Sequence, residues 1–528
     1  MIPLEFFPTY SLLLWPYITS LWRASTGSKN YKKMDKNKGV YPPGETWPWG
    51  IAIFFFLPCL VWFGRDLNFS AYAHPDERNK ITQIVQSNYN FNHPLLMLNT
   101  ARVAAWALDK TTDFEAVKVI GRKVSVLYAS LAVAIFALAF GRLYGRWAAV
   151  ATGIFLMCNP SLFEFAHYFK EEPTLLFGIS LTVLAMVNFA LQPGLASSLL
   201  CGAAAGIAFS GKYAGIIVMP FAFYVVLANS RQKMRDVLSF LIIFGLVFIA
   251  INLPALISFA HAAGSLDSEV VRLTGANQEV KRSIPHGVYA QRYWETASPV
   301  LLALLIFYLF FLFKRRFQLQ PIEWTIILLP ALFFVVLSFI PVTSNRYFLP
   351  CGILCACLSA SGLSFLMSRK KGVLLGLVLM LLSVGWSFPK LLKANNGFRH
   401  DHVGELALYL ETQVPSDSLI LVGQWIGIPP IKSPTWRYGS IGPEDTIESI
   451  KAKNFTHVLL APRNYRNFIN STTNRTSFSD EDFLKVKSFY HSLFEKATIL
   501  RQWKEKDNNN LGKEMVLFSL KDVSSNLQ

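Results

Sequence analysis

Two carboxylates stand side by side in Ala73-His74-Pro75-Asp76-Glu77-Arg78. An adjacent pair of this kind can divide acid–base work, one member taking a proton from a hydroxyl while the other orients it or returns a proton. A second acidic pair, Glu171-Glu172, precedes Pro173, and two cations occupy comparable settings: Lys212 in the short Gly211-Lys212 break and Arg346 ahead of Tyr347-Phe348-Leu349-Pro350. Acids and cations gathered on one side of a membrane suit an acid-assisted substitution on an anionic, phospholipid-like substrate. Each group also has a plainer reading. Asp76, Glu77 and Glu172 can open helices, where acids meet the positive end of the dipole and Pro173 suits a first turn. Lysine and arginine at the ends of apolar helices commonly anchor to headgroups, and His74, alone in a loop, is more often incidental.

Whether these residues share a side depends on the elements that carry them. The chain has 528 residues, 52% hydrophobic, 14% aromatic and only 16% charged, against about a quarter charged in soluble domains. The apolar residues fall in long blocks. That excludes a simple soluble enzyme, a disordered chain, a collagen and a small disulfide scaffold. The 50 basic and 33 acidic residues leave a net charge of +17. Much of the excess lies in short runs beside apolar blocks, at 29–38, 231–235, 314–316 and 369–371. This is the bias of cytoplasmic loops facing anionic headgroups rather than a nucleic-acid surface. The six cysteines, Cys59, Cys158, Cys201, Cys351, Cys355 and Cys357, all sit in apolar stretches without metal-ligand spacing. They read as small hydrophobes, with no disulfide expected.

A spanning helix needs about 20 mostly apolar residues. Candidate spans centre on 47–64, 122–141, 147–162, 173–191, 197–210, 213–229, 237–259, 298–313, 321–340, 347–367 and 372–388, about 11 in all. With the basic N-terminal segment 1–46 inside, parity places every basic run inside. The loops 65–121, 163–172, 260–297 and 341–346, and the chain beyond 388, then fall outside. Asp76, Glu77, Glu172, Lys212 and Arg346 all reach that outer side. In the first outside loop, 79–89 and 93–108 are expected as amphipathic helices lying at the interface. Residues 4–22, broken by Pro8 and Pro16, read as an extra span, a re-entrant piece or an interfacial helix. The 260–297 loop, with Arg272, Lys281, Arg282, His286, Arg292, Tyr293 and Trp294, reads as a solvated loop with interfacial aromatics, or as a lid.

Beyond the transmembrane region 47–388, residues 389–528 change character. Short β-like runs (418–422, 457–460, 515–518) alternate with helix-compatible stretches (401–413, 479–495). This predicts a small α/β domain on the outer face. It carries no phosphate loop, metal spacing or nucleophile elbow, so a capping or acceptor-guiding role is expected.

Asp76-Glu77, Asn92-His93-Pro94-Leu95, Glu172 at the opening of the fourth span, Lys212-Tyr213-Ala214-Gly215 and Asn345-Arg346-Tyr347-Phe348-Leu349-Pro350 occur in this order. The set resembles the integral membrane glycosyltransferases of the C-type fold, specifically the protein O-mannosyltransferases and the lipid A aminoarabinose transferases. The likeness runs over roughly residues 45–390. It implies an α-helical polytopic membrane protein that moves a sugar from a polyprenyl-phosphate donor to a lipid, glycan or protein acceptor, inverting the anomeric carbon. Asp76 matches the family acid that deprotonates or orients the acceptor hydroxyl, with Glu77 its neighbour. Glu172 matches an acid that is usually aspartate. Lys212 and Arg346 match the cations that hold the lipid phosphate, and His93 and Tyr347 fall in substrate-binding positions. The chain departs from the family in having His93-Pro94-Leu95 where a doubled proline is usual and a short interval between Glu77 and His93. Both bear on the donor pocket and hence on the sugar.

The energy of transfer resides in the sugar–phosphate bond, so no cofactor is required. A divalent metal is compatible with the acid pairs, although no compact ligand cluster marks one. Membrane lipids are the other expected partner, and nucleic acid is not one. The competing reading is a transporter or flippase for a lipid-linked sugar, but the notable acids fall at span ends and no inverted repeat is evident. An inactive scaffold is a third reading, and it would tolerate loss of Asp76. Sequons at Asn68, Asn454, Asn470 and Asn474 lie on the outer side. A bacterial inner membrane is expected, with the C-terminal domain periplasmic. The endoplasmic reticulum membrane is the alternative.

Overall fold

The computed structural model describes residues 47–70, 75–274, 298–314, 319–338, 345–399, 401–424, 426–429, 431–470, 478–504 and 514–521. The expectations for residues 1–46, and for Lys281, Arg282, His286, Arg292, Tyr293 and Trp294, lie outside the described residues. The chain divides into two compact units. One comprises Met1–Arg65, Asn88–Ala107 and Gly121–Pro389; the other comprises Asp66–Ser87, Leu108–Ile120 and Lys390–Gln528.

The chain opens with α1 (Trp47–Phe63), α2 (Pro75–Val85), α3 (Leu96–Ala107), α4 (Phe114–Tyr144), α5 (Arg146–Met157), α6 (Pro160–Ala166), α7 (Glu172–Leu191) and α8 (Leu195–Gly211). A 3-10 turn over Tyr213–Val218 leads into α9 (Met219–Asn229), α10 (Lys233–Ile251), α11 (Leu253–Ile257) and α12 (Phe259–Thr274). Then follow α13 (Pro299–Lys314), α14 (Pro321–Ser338), α15 (Asn345–Met367) and α16 (Gly372–Arg399). Among the described residues, five helices are long and apolar enough to cross a membrane, and a bent pair makes up to six. Five shorter apolar helices accompany them: Trp49–Phe63, Leu195–Gly211, Tyr213–Asn229, Pro299–Lys314 and Pro321–Val336.

Four sequence expectations change, the first being the span expected at 237–259, which ends as α10 at Ile251 and continues as the separate α11 (Leu253–Ile257). The span expected at 147–162 is two helices, α5 and α6, bent by 61°. Asn159 is responsible, because its side chain caps Leu162 N at 2.9 Å and Pro160 starts a new helix, a combination that begins helices rather than continuing them. In the first loop the helices cover Pro75–Val85 and Leu96–Ala107 instead of 79–89 and 93–108. Pro75 and the two acids move the first start upstream, so Asp76 and Glu77 lie inside the first turn. The beginning of the 260–297 segment is helical in α12. Its apolar Phe259, Leu266 and Val270 are exposed and recur at helical spacing.

Helix α4 is mostly buried, whereas α10 shows Leu238, Leu241, Ile242, Leu246 and Ile249 to its surroundings. An apolar helix that is exposed this way has the composition of a lipid-facing one. Helices α7 and α8 pack closely because Gly178 has no side chain: a Cβ there would stand 2.3 Å from Ala208 Cα. Small residues at such crossings let backbones approach where no hydrophobic effect drives them together. This antiparallel hairpin brings the start of α7 beside the end of α8.

In the second unit, α17 (His402–Gln413) precedes β1 (Leu419–Gly423), β2 (Thr435–Gly439), α18 (Ile447–Ala452), β3 (His457–Leu460), α19 (Pro462–Ile469), α20 (Asp480–Lys496), β4 (Thr498–Trp503) and β5 (Met515–Ser519). The sheet order is β2-β1-β3-β5-β4. Strand β1 runs parallel to β2 and β3, and β5 runs antiparallel to β3 and β4. Strands β3 and β5 are buried along their whole length, which is why they read as unbroken apolar runs. One side of the sheet packs on α18, α19 and α20 through Ile450, Phe468, Val486 and Phe489. The other packs on α17 through Leu406 and Leu410. Edge strands β2 and β4 are mostly exposed and carry Arg437 and Arg501, so their mixed composition concealed them.

Candidate functional site

Glu172 opens α7 and Lys212 ends α8. Thr174 Oγ1 lies 2.8 Å from Glu171 O and 3.3 Å from Gly211 O and shares its one proton between them, tying the two ends together. Gly211 is required there, since a Cβ would come within 2.8 Å of Thr174 O. Lys212 leaves the helix with extended backbone angles. Its Nζ donates to Glu172 Oε1 at 2.8 Å, with the two side chains 13% and 2% exposed. Ions this far from water persist only when paired, and removing one partner costs about 3–5 kcal/mol.

Tyr347 joins the pair to Arg346. Lys212 Nζ lies 5.3 Å from the Tyr347 ring centroid and the Arg346 guanidinium carbon lies 5.1 Å from it. Arg346 also donates to the Tyr347 hydroxyl at 3.3 Å. One aromatic ring therefore stabilises two cations, each through its negative π-face. Lys170 and Arg346 lie within electrostatic reach of Glu172 as well. Among the described residues, the buried Glu172 Oε2 has no hydrogen-bond partner. Cations gathered around one carboxylate with a spare acceptor form a site that can take an anionic group and a donor hydroxyl together.

His93 lies half-buried on the strap between α2 and α3. Tyr213 OH donates to Phe91 O at 3.1 Å, and Leu95 N donates to Asn252 Oδ1 at 2.9 Å, so the strap is held on both sides of His93. Asn252 Nδ2 donates onward to Ser210 Oγ at 3.0 Å. Asn252 escaped the sequence reading. Its signal was there, as a polar residue inside the apolar run from Phe248 to Leu256.

Asp76 and Glu77 belong to the second unit, whereas Glu172, Lys212, Arg346, Tyr347 and His93 belong to the first. Glu77 is fully buried and Asp76 half-buried. Lys80 Nζ donates to the Asp76 carbonyl oxygen at 3.5 Å. Their place in the first turn of α2 satisfies the helix dipole and is equally compatible with acid–base work. Of the seven site residues named from the sequence, the structure brings Glu172, Lys212, Arg346 and Tyr347 into one cluster.

Residues 99–257, which include Glu172 and Lys212, match the family model described as Dolichyl-phosphate-mannose-protein mannosyltransferase. No curated protein sequence is significantly similar to the chain. Among solved structures, ArnT from Cupriavidus metallidurans bound to undecaprenyl phosphate is similar with a TM-score of 0.52 and 12% identity, over 90% of this chain and 99% of that one. Its apo state gives 0.51 and 14%, over 91% and 99%. An oligosaccharyltransferase from Archaeoglobus fulgidus gives 0.46 and 12%, over 83% and 70%. At these identities the likeness to ArnT is one of fold. The chain has the C-type fold of integral membrane glycosyltransferases, with its residues 99–257 matching the mannosyltransferase model.

Proposed function

We propose that the protein transfers a sugar from a polyprenyl-phosphate donor to a lipid, glycan or protein acceptor on the outer face of a membrane. The observation that carries this reading is the buried Glu172–Lys212 pair joined through Tyr347 to Arg346, set in a C-type fold. ArnT, which shares the fold, was captured with undecaprenyl phosphate, and that supports an isoprenoid phosphate as the carrier here.

In the proposed reaction, Asp76 takes the proton of the acceptor hydroxyl, with Glu77 orienting it. The acceptor oxygen bonds to the anomeric carbon as the bond from that carbon to the phosphate oxygen breaks, inverting the centre. The departing phosphate gains negative charge, which Arg346 and Lys212 stabilise more strongly in the transition state than in the bound donor. Glu172 holds Lys212 in place, and its second oxygen is available to a sugar hydroxyl. His93 and Tyr347 complete the donor contacts. No nucleotide or redox cofactor is needed, and activity before and after chelation decides whether a divalent metal takes part. The membrane proposed is a bacterial inner membrane, with the endoplasmic reticulum membrane as the alternative.

The test is transfer by membranes containing wild type or Asp76→Asn, supplied with labelled polyprenyl-phosphate sugars and an acceptor extract. The reading expects transfer by the wild type and its collapse in the variant at matched expression. Undiminished transfer by Asp76→Asn removes Asp76 as the base and passes the role to Glu77 or Glu172.

A further inference from the structure

The second unit joins two segments about 330 residues apart in sequence. Arg399 Nε donates to Asp66 Oδ2 at 3.0 Å. The buried rings of Phe69 and Phe398 lie 5.2 Å apart. Ser70 N donates to Asp401 Oδ2 at 2.6 Å. Three residues of the first loop are thus held by three anchors, Phe398, Arg399 and Asp401, at the root of the C-terminal segment.

Asp401 has two jobs. It is the N-cap of α17, where Oδ1 accepts from Gly404 N at 3.0 Å, while Oδ2 takes the Ser70 N–H. Gly404 makes room for this, because a Cβ there would stand 2.8 Å from Asp401 Oδ2. A capping carboxylate needs only one oxygen for its helix. Here the other oxygen is spent on a backbone amide six residues ahead of Asp76. On the far side, α2 is fixed by its buried Glu77, Ile81 and Ile84. Asp76 lies in sequence between Ser70 and these buried residues of α2.

We propose that Asp401 is a positioning residue for the Asp76–Glu77 pair. It holds Ser70, and α2 and the C-terminal α/β fold belong to the same compact unit, so the C-terminal domain sets where the base meets the acceptor. This rests on the assignment of Asp76 as the base. It gives the domain a part in the reaction although it contributes no reacting group.

Asp401→Asn separates the two jobs. Asparagine caps helices as well as aspartate does, so α17 keeps its N-terminus. Its amide nitrogen cannot accept the Ser70 N–H. In the full-length protein, kcat should fall by roughly tenfold to a hundredfold, the range for a misplaced catalytic group. The donor KM should stay unchanged, because the donor is held by Lys212 and Arg346. Rates are normalised to donor-binding sites, so a misfolded fraction does not count as lost kcat. Asp401→Ser, another good cap with a single oxygen, should behave alike. Asp66→Arg and Arg399→Asp should each lower kcat, and their combination should restore it. Full kcat in Asp401→Asn beside an inactive Asp76→Asn overturns the positioning role alone. Full transfer by Asp76→Asn overturns the base assignment, and this inference with it.

Discussion

Two ion pairs of nearly equal length occupy different parts of the molecule. Glu172 and Lys212 meet at 2.8 Å with side chains 2% and 13% exposed. Lys453 and Asp445, in the C-terminal α/β fold, meet at 2.9 Å with 60% and 18% exposed. Length does not distinguish them, but surroundings do. The same charges attract with about 1 kcal/mol in water and about 4 kcal/mol at the effective dielectric of a protein site. Asp445 has other support as well. Burial pushes its carboxyl up, but the Gly442 N–H at 2.8 Å and the Lys453 ammonium outweigh burial and hold it below its ordinary value. If Lys453 is lost, water and Gly442 remain. If Lys212 is lost, the Glu172 carboxylate is left 2% exposed without its hydrogen-bonded cation. A pair of the first kind has to be retained for what it does, while a pair of the second kind is tolerated.

The largest effect should follow from breaking the buried pair on one side. Lys212→Met should destabilise the folded chain by about 3–5 kcal/mol and abolish transfer, read by thermal unfolding in detergent and by the sugar-transfer assay. The double replacement Glu172→Leu with Lys212→Met sharpens the point. It should recover most of the stability, because apolar groups fill the site without uncompensated charge, and should recover no transfer. Recovery of transfer would mean that the pair only maintains the fold. A smaller effect is expected at Tyr347. Tyr347→Phe keeps the ring under both cations and should change the donor KM less than about threefold. Tyr347→Leu removes the ring and should raise the donor KM about tenfold, the equivalent of ~1.4 kcal/mol. Equal behaviour of the two variants would transfer the weight from the ring to the hydroxyl.

The same contrast decides what could be read from the sequence. Helices α7, α8 and α15 were legible because uninterrupted apolar runs leave a chain in lipid little else to form, whereas the run read as one span over 237–259 ends as α10 at Ile251 and continues as the separate α11. The bend between α5 and α6 was legible in principle, since Asn159-Pro160 is a helix start written inside an apolar run, but hydropathy averaged it away. The cluster was legible as types and order: Glu172, Lys212, Arg346 and Tyr347 come from three separate segments, and only packing through Gly178 and Gly211 joins them. Asn252 was missed because a single amide does not disturb a hydropathy window. In the C-terminal fold, β1, β3 and β5 announced themselves as short β-like apolar runs. Strands β2 and β4 did not, because an edge strand spreads exposed and aromatic residues over both faces.

The smallest effects belong to the C-terminal fold. Burial, with the Lys521 charge, lowers the pKa of His457 from its ordinary value. The unfolded chain therefore binds that proton more readily than the folded one does. The His457 contribution to stability should be complete above the ordinary value, about 6.5, and be lost as pH falls below it. Amide exchange in β3 and β5, corrected for the intrinsic pH dependence, should accelerate from pH 7 to pH 5, and less so in His457→Gln. Lys453→Ala should cost less still, about 0–1 kcal/mol, and 1 M salt should narrow its gap from the wild type, because solvent reaches this pair. Thermal unfolding of the two proteins at low and high salt checks this. A loss as large as that of Lys212→Met, and unaffected by salt, would show that burial is not what separates the two pairs. The weight would then pass from the dielectric surroundings to the hydrogen-bond network around Asp445, where Gly442 holds one oxygen and Lys453 the other.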